Sequence, residues 1–212
     1  MKKIKIISVL LSVILCTNIL IACQKTDVKK ENYEKSVNSN ETMVEKIDNG
    51  IALDVFPMDM MLSSGAGGWR TQITLKEDGT FVGDYYDSEM GMSHTDYDYT
   101  VNICEFSGKY EIIEKIDDYS YTFKFTEVQS EKDEGEQWIE DRIRYVSSGH
   151  WGVSVDQEYI LYTDKTPIEK VSENLLVWWP YKYNYEEENI KTLMCYGLYN
   201  KDEEIAFFQL NF

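Results

Sequence analysis

The chain has few of the residues that build catalytic and metal centres. Its 212 residues include two histidines and four cysteines. No Cys-x-x-Cys or Cys-x-x-His spacing occurs, so zinc-binding and redox motifs are absent from the sequence. The serines form no Gly-x-Ser-x-Gly elbow, and the glycine-rich stretch lacks the Lys-Ser/Thr pair of a P-loop. We therefore predict a protein that is not an enzyme and has no catalytic residue, metal or cofactor.

Basic residues are also scarce. The chain has 21 Lys and Arg against 38 Asp and Glu, a formal net charge of -17. Residues 1–22 hold three of the lysines and no acid, so the chain without them carries about -20. Such a surface repels phosphate backbones, and we predict no nucleic-acid partner. High acidity favours solubility, and it also suits cationic partners and divalent ions.

Long apolar runs are rare, and the clearest one lies at the start of the chain. Lys2, Lys3 and Lys5 precede the largely apolar residues 6–15, the charge-then-apolar order of a secretory signal. The segment ends in Leu20-Ile21-Ala22-Cys23, which resembles the lipobox of bacterial lipoprotein signals. The resemblance implies that residues 1–22 are a cleaved signal peptide. It also implies that Cys23 is the site of lipid attachment and bears palmitate-type acyl chains.

The lipid anchor predicts the location of the protein. Acyl chains on Cys23 would hold it at the cell membrane, on the extracytoplasmic face, as part of the cell envelope. A plain transmembrane helix is the alternative, but residues 6–22 supply only about 17 residues, the lower limit for a helix that crosses a bilayer. We therefore expect a membrane partner reached through lipid rather than through a spanning helix.

Composition divides the rest of the chain in two. Residues 23–50 are rich in Lys, Glu, Asn and Ser and have few large apolar side chains, so we interpret them as a flexible tether. Residues 51–212 are long enough for one domain with a sizeable core. Cys104 and Cys195 lie in apolar runs of this domain, where they form either one disulfide or two buried free thiols.

Alternating apolar residues predict a mainly β domain. Trp69, Ile73 and Leu75 lie on one face of a strand, and Asp78-Gly79 supplies the turn of a hairpin whose second strand starts at Phe81. A short helix is predicted after Pro167. Further strands are predicted at residues 99–104, 108–113, 119–128, 140–146, 158–162, 193–199 and 205–212.

About eight to ten short strands with one short helix predict a closed antiparallel β-barrel, because closure removes free strand edges. Gly67-Gly68-Trp69 followed by the hairpin resembles the opening of lipocalin-like (calycin) barrels. A closer resemblance is to a group of uncharacterised lipoproteins of Gram-positive anaerobes. It is carried by four motifs: Ser64-Gly65-Ala66-Gly67-Gly68-Trp69, Asp78-Gly79-Thr80-Phe81, Gly83-Asp84-Tyr85-Tyr86-Asp87 and Tyr196-Gly197-Leu198-Tyr199-Asn200. This resemblance implies a fold and a cellular location, but it implies no biochemical activity.

Several clusters are candidates for sites, each with a structural alternative. Residues 63–68 form either a phosphate cradle or a tight backbone approach at a barrel end, plugged by Trp69. His94 and His150 form a site only if the fold brings them together. A group of acids forms either a calcium site or a solvated loop: Asp84, Asp87, Glu89, Asp96 and Asp98.

The aromatic stretch Trp178–Tyr185 is the most unusual segment of the chain. Exposed aromatic rings stack on sugars or form interface hot spots. Alternatively, one or two of these rings belong to the core and the others cover a barrel mouth. The segment is therefore a candidate recognition surface.

Together these features favour a non-covalent binding module for a small molecule, a glycan or an envelope protein. One alternative is a structural or interaction protein without a ligand cavity, such as an inhibitor or an envelope assembly factor. Another is a hydrolase that uses a pair of carboxylates with raised pKa values. A barrel interior filled by side chains would count against a small-molecule ligand.

Overall fold

The computed structural model describes residues 55–89, 91 and 94–210. The predicted signal peptide (residues 1–22), Cys23 and the whole predicted tether (residues 23–50) therefore lie outside the described residues, as do residues 51–54. One α-helix, α1 (Glu173–Trp178), occurs in the described part, shortly after a 3-10 turn at Ile168–Lys170. The ten strands are β1 (Met58–Ser63), β2 (Trp69–Leu75), β3 (Thr80–Glu89), β4 (Tyr99–Lys115), β5 (Ser120–Ser130), β6 (Gln137–Glu140), β7 (Ile143–Ser147), β8 (Tyr159–Tyr162), β9 (Gly197–Asn200) and β10 (Ile205–Gln209).

Eight of these strands close into an antiparallel barrel. From β1 to β5 each strand pairs with the next, β5 pairs with β8, and β8, β9 and β10 follow in order. The barrel closes where β10 pairs with β1, with Gln209 opposite Met60. Its strands therefore succeed one another in chain order, as in an up-and-down barrel. This confirms the predicted mainly β fold, the closed antiparallel barrel and the short helix.

The strands β6 and β7 form a hairpin outside the barrel. The hairpin joins the sheet through the long strand β4. The second half of β4 pairs with β5, while its first part, Tyr99–Ile103, pairs in parallel with Ile143–Ser147 of β7. The strand β6 pairs with β7 and ends the sheet in the described part of the chain. The barrel is thus closed, while within the described residues the sheet order ends at an open edge of β6.

Four elements differ from the sequence prediction. The strand predicted at residues 193–199 begins only at Gly197, as β9. The strand β1 was not predicted, although Met58, Met60 and Leu62 alternate with half-buried residues and are fully buried. The two strands predicted within β4 are one, because Glu105 and Ser107 between them are exposed and do not interrupt the strand. The strand predicted at 140–146 is a hairpin, because Asp141 and Arg142 both take positive φ, as a two-residue turn requires.

The barrel interior is filled by aromatic and aliphatic side chains. The ring centroids of Phe81 and Phe125 are 4.9 Å apart, and Phe125 lies 5.1 Å from Tyr159. Phe56 packs near one end of this core, 6.3 Å from Tyr110. At the opposite end the loop between β7 and β8 inserts Val153 into the same core. The interior is therefore a packed core rather than a ligand chamber.

A second core lies on the outer wall of the barrel. Leu175, Trp179 and Leu193 of the connection between β8 and β9 pack against Ala206 and Phe208, which point outward from β10. The indole nitrogen of Trp179 donates a hydrogen bond of 2.8 Å to the carbonyl of Leu193. This second core holds the long connection against the barrel.

The two cysteines of the described domain are free and buried in different cores. Cys104 points into the barrel interior, and its sulfur lies 3.3 Å from the hydroxyl of Ser130. Cys195 belongs to the outer-wall core. The sequence left open either one disulfide or two buried free thiols, and the structure has two buried free thiols. Among the described helices none has the length and apolarity needed to cross a membrane.

Candidate functional site

A groove of about 450 Å³ runs along the outer wall of the barrel. Its floor is formed by Met61 of β1, by Phe208 of β10 and by Trp179. One side is the loop that follows β1, and the other is the segment Trp178–Tyr183. The volume lies within the range of roughly 300–1,000 Å³ that is usual for ligand pockets. We call this feature the outer-wall groove.

The outer-wall groove differs in charge from the rest of the protein. None of its described lining residues is acidic, although the chain has 38 Asp and Glu. The lining includes one lysine, Lys182, whose ammonium donates to the carbonyl of Val177 and lies 5.1 Å from the ring centroid of Tyr183. The groove therefore suits a neutral or anionic ligand better than a cation. The lining residues are Met61, Ser63, Ser64, Gly65, Ala66, Trp178, Trp179, Pro180, Lys182, Tyr183, Phe208, Gln209 and Leu210.

The aromatic stretch contributes both buried and exposed rings. Trp179 is fully buried, while the side chain of Tyr183 is 84% exposed at the groove. Trp178 is half-buried and held in place, because its indole nitrogen donates to the carbonyl of Glu204 at 2.8 Å. Its ring also lies 6.1 Å from that of Trp69. The stretch is therefore not a continuous exposed surface. Trp178 and Trp179 are packed against the protein, and Tyr183 presents an exposed ring at the groove.

The glycine-rich loop that follows β1 lies open beside the groove. Gly65 and Gly67 have φ of +78° and +81°, which explains why glycine is favoured there. No atom lies within 4 Å of where a Cβ would stand at Gly65, Gly67 or Gly68. The interpretation of this loop as a tight backbone approach is therefore wrong. The loop leads into the strand β2 rather than into a helix, so it also lacks the setting of a phosphate-binding loop.

Trp69 does help to close a barrel end. Its ring packs edge to face on Trp151 at 4.5 Å, and Tyr85 lies 6.5 Å from Trp151. The hydroxyl of Thr71 donates to the carbonyl of Trp151 at 2.8 Å and fixes the loop in place. This aromatic cap closes the end of the barrel from which the glycine-rich loop emerges.

The two histidines occupy separate environments. His94 stacks on Tyr97 at 5.0 Å, and its ring nitrogen lies 3.9 Å from a carboxylate oxygen of Asp96. His150 instead pairs its Nδ1 with the carbonyl oxygen of Val153 at 2.8 Å. Across the described ranges, no group of three His, Cys, Asp or Glu residues is arranged to hold a metal ion.

The predicted acidic cluster is divided among different partners. Asp84 forms an ion pair with Arg70 at 3.0 Å, and Asp98 accepts hydrogen bonds from Arg142 at 2.6–3.2 Å. These hydrogen bonds hold the pKa of Asp98 below its ordinary value. Glu89 accepts a hydrogen bond from the amide of Asn102 at 2.9 Å. Asp84, Asp87 and Glu89 lie on the strand β3, so the predicted acidic loop is wrong for these three residues. The five acids, all of them described by the structure, are also not gathered into a group that could hold a calcium ion.

No protein-family model, characterised protein or solved structure matches the chain. The fold is a closed, eight-stranded antiparallel barrel with a packed interior and a groove on its outer wall. The resemblance to lipoproteins of Gram-positive anaerobes stays a prediction.

Proposed function

We propose that the protein is a lipid-anchored extracytoplasmic binding module that holds a segment of a glycan in the outer-wall groove. The observation that carries this proposal is a groove whose described lining residues include no carboxylate and one exposed aromatic ring, on a strongly acidic protein. The packed barrel interior directs the proposal away from a small molecule enclosed in the barrel. The lipobox-like segment Leu20–Cys23 supports the extracytoplasmic location.

The groove offers the two kinds of contact that sugar rings use. The apolar faces of sugars can pack on the ring of Tyr183, which is largely free of protein contacts. Hydroxyl groups of the ligand can bond to the hydroxyls of Ser63 and Ser64 and to the amide of Gln209. The oxygen of that amide already accepts from the N–H of Tyr196 at 3.4 Å, so its NH₂ group is the donor toward a ligand.

The two other candidate functions, a hydrolase and an interaction protein, would need different surface features. The groove lining has no carboxylate pair among its described residues, so it does not offer the two acids that glycoside hydrolysis uses. An interaction protein without an internal cavity is favoured by a different surface, the open edge of β6.

Glycan arrays probed with the detergent-solubilised protein test the proposal. We expect binding to a neutral or acidic oligosaccharide, and we expect Tyr183→Ala to weaken it roughly tenfold, a usual loss for an exposed aromatic contact. Val177→Ala is the matched control, because Val177 is 57% exposed but does not line the groove. A glycan bound equally well by Tyr183→Ala, or no bound glycan, would contradict the proposal.

The anchor is tested separately. Mass spectrometry of the protein expressed in a Gram-positive host should show a diacylglyceryl group on an N-terminal Cys23. The Cys23→Ser variant should lack the lipid and appear in the soluble extracellular fraction. An unmodified Cys23 in the membrane fraction would overturn the anchoring while leaving the groove proposal open to its own test.

A further inference from the structure

The strand β6 presents an open backbone edge. The N–H of Ser147 bonds to the carbonyl of Glu136 at 2.8 Å, which sets the alternation of the β6–β7 ladder. In an antiparallel ladder, residues alternate between bonding across the pair and pointing away from it. The N–H and C=O groups of Gln137 and Ile139 therefore point away from β7. No other described strand pairs with this edge.

The open edge is already shaped as a strand before any partner arrives. The rings of Trp138 and Tyr145 stack across the β6–β7 pair at 5.3 Å. The guanidinium of Arg144 donates to the side-chain oxygen of Gln137 at 2.8 Å. Ile139, which is 52% exposed, adds an apolar side chain beside the open backbone groups. A segment that adds to this edge would therefore meet a preformed template.

The surroundings of the edge are strongly acidic. Six of the eleven residues 131–141 are Asp or Glu, and all six are exposed. Three cations lie nearby, and each already has a partner. Arg142 bonds to Asp98, Arg144 donates to the side-chain oxygen of Gln137, and Lys132 lies 5.3 Å from the ring centroid of Trp138. The six acids are Glu131, Asp133, Glu134, Glu136, Glu140 and Asp141.

We propose that the β6 edge docks a cationic, extended segment of another protein as an additional strand. Backbone hydrogen bonds to Gln137 and Ile139 would supply the pairing, and the six acids would select a segment rich in Lys and Arg. A second copy of this chain is a poor occupant, because it would bring the same acids and a net charge of -17. This surface is distinct from the outer-wall groove and does not depend on the glycan proposal.

The direct test uses a synthetic peptide of about eight residues, a usual strand length, with alternating Lys and Val and capped ends. We expect saturable binding to the full protein in isothermal titration calorimetry, weakening as salt is raised. The control peptide has the same sequence with every backbone amide methylated, which keeps the charge and removes the strand donors. Absence of binding, or equal binding of both peptides, would overturn the proposal.

Two substitutions separate backbone pairing from apolar contact. Ile139→Pro removes an N–H that points away from β7, so it should abolish peptide binding while the β6–β7 ladder remains. Ile139→Thr is its matched control, because it keeps the N–H and should retain binding. Far-ultraviolet circular dichroism verifies that both variants keep the fold. Unchanged binding by a folded Ile139→Pro variant would contradict docking at this edge.

A third comparison tests the role of charge. The triple variant Glu136→Gln, Glu140→Gln, Asp141→Asn should weaken peptide binding roughly tenfold and reduce its salt dependence. The control neutralises the same number of exposed acids elsewhere, with Glu186→Gln, Glu187→Gln and Glu188→Gln. Equal losses in the two triple variants would show attraction by net charge alone and would overturn the edge as the docking site.

Discussion

The hydroxyl of Tyr159 donates a hydrogen bond of 3.0 Å to the carbonyl of Gly152, inside the barrel. The same oxygen accepts a hydrogen bond of 3.0 Å from the N–H of Ser154. Tyr159 is fully buried, and Gly152, with φ of +83°, is buried in the space between Leu62 and Phe207. One side chain of β8 thus fixes the loop that closes this end of the barrel.

Replacing Tyr159 by phenylalanine should destabilise the protein. The substitution keeps the ring but leaves the carbonyl of Gly152 and the N–H of Ser154 without this partner, which costs about 1–3 kcal/mol for buried polar groups. Urea denaturation followed by tryptophan fluorescence measures the change. Tyr183→Phe is the control and should leave the free energy of unfolding unchanged, because Tyr183 is exposed. Equal stability of the two variants would contradict the proposed role of the Tyr159 hydroxyl.

Gly108 on β4 should tolerate no side chain. A Cβ at this position would lie 1.8 Å from the carbonyl oxygen of Glu127 and 2.8 Å from the ring of Phe81. Glu127 belongs to β5 and the ring of Phe81 fills the barrel interior, so β4 would have to move away from both. We expect Gly108→Ala to lower the free energy of unfolding by about 3 kcal/mol or more, a size reserved for severe steric conflicts.

The control for Gly108 is Gly149→Ala. No atom lies within 4 Å of a Cβ placed at Gly149, and its φ is not positive. Thermal unfolding should give nearly the same midpoint for Gly149→Ala as for the wild type. A Gly108→Ala variant with that same midpoint would show that the barrel wall adapts at little cost.

Local patterns were enough to predict part of the barrel. The β2–β3 hairpin follows from period-two alternation and from Asp78-Gly79, where Gly79 takes a φ of +79°. The strand β1 carried the same signal in Met58, Met60 and Leu62, but methionine is not enriched in strands, and the alternation there was missed. The β6–β7 turn was hidden because Asp141 and Arg142 are not the usual Asn-Gly or Asp-Gly pair.

The outer-wall groove could not be predicted from local patterns. It brings together Met61, Trp178 and Phe208, which are far apart in the sequence and meet only after β10 has closed on β1. The sequence did show that the segment around Trp178 is unusually rich in aromatic residues. Which of two adjacent tryptophans is buried depends on how α1 turns against β10, and here it is Trp179.

The cap of α1 should matter for the wall of the groove. The hydroxyl of Ser172 accepts a hydrogen bond of 3.2 Å from the N–H of Leu175, a fully buried residue of the outer-wall core. Ser172→Ala should lower the free energy of unfolding by about 1 kcal/mol, the usual cost of losing such a cap. Ser172→Asp should retain stability, because its carboxylate can accept the same bond. Chemical denaturation measures the free energy of unfolding of both variants. If both variants lose the same amount of stability, capping by residue 172 is not the cause.

Stability should fall in alkaline solution because of the buried thiol in the outer-wall core. Burial, with a smaller contribution from the charge of Asp164, raises the pKa of Cys195 from 9.0 to about 12. Above pH 9 the unfolded chain loses this proton while the folded chain keeps it, so the stabilising contribution is complete below pH 9 and is lost as the pH approaches 12.

The expected slope for that one group is about 1.4 kcal/mol per pH unit in the interval between the two pKa values. Burial also raises the pKa of Tyr159 from 10.0 to about 12, which adds to the fall above pH 10. Urea denaturation at several pH values measures the slope. The variant Cys195→Ala should start from a lower stability but decline less steeply, because it lacks the Cys195 contribution while the raised pKa values of Tyr159, Tyr110 and Cys104 remain. Parallel curves for the two proteins would show that the Cys195 thiol does not set the alkaline limit.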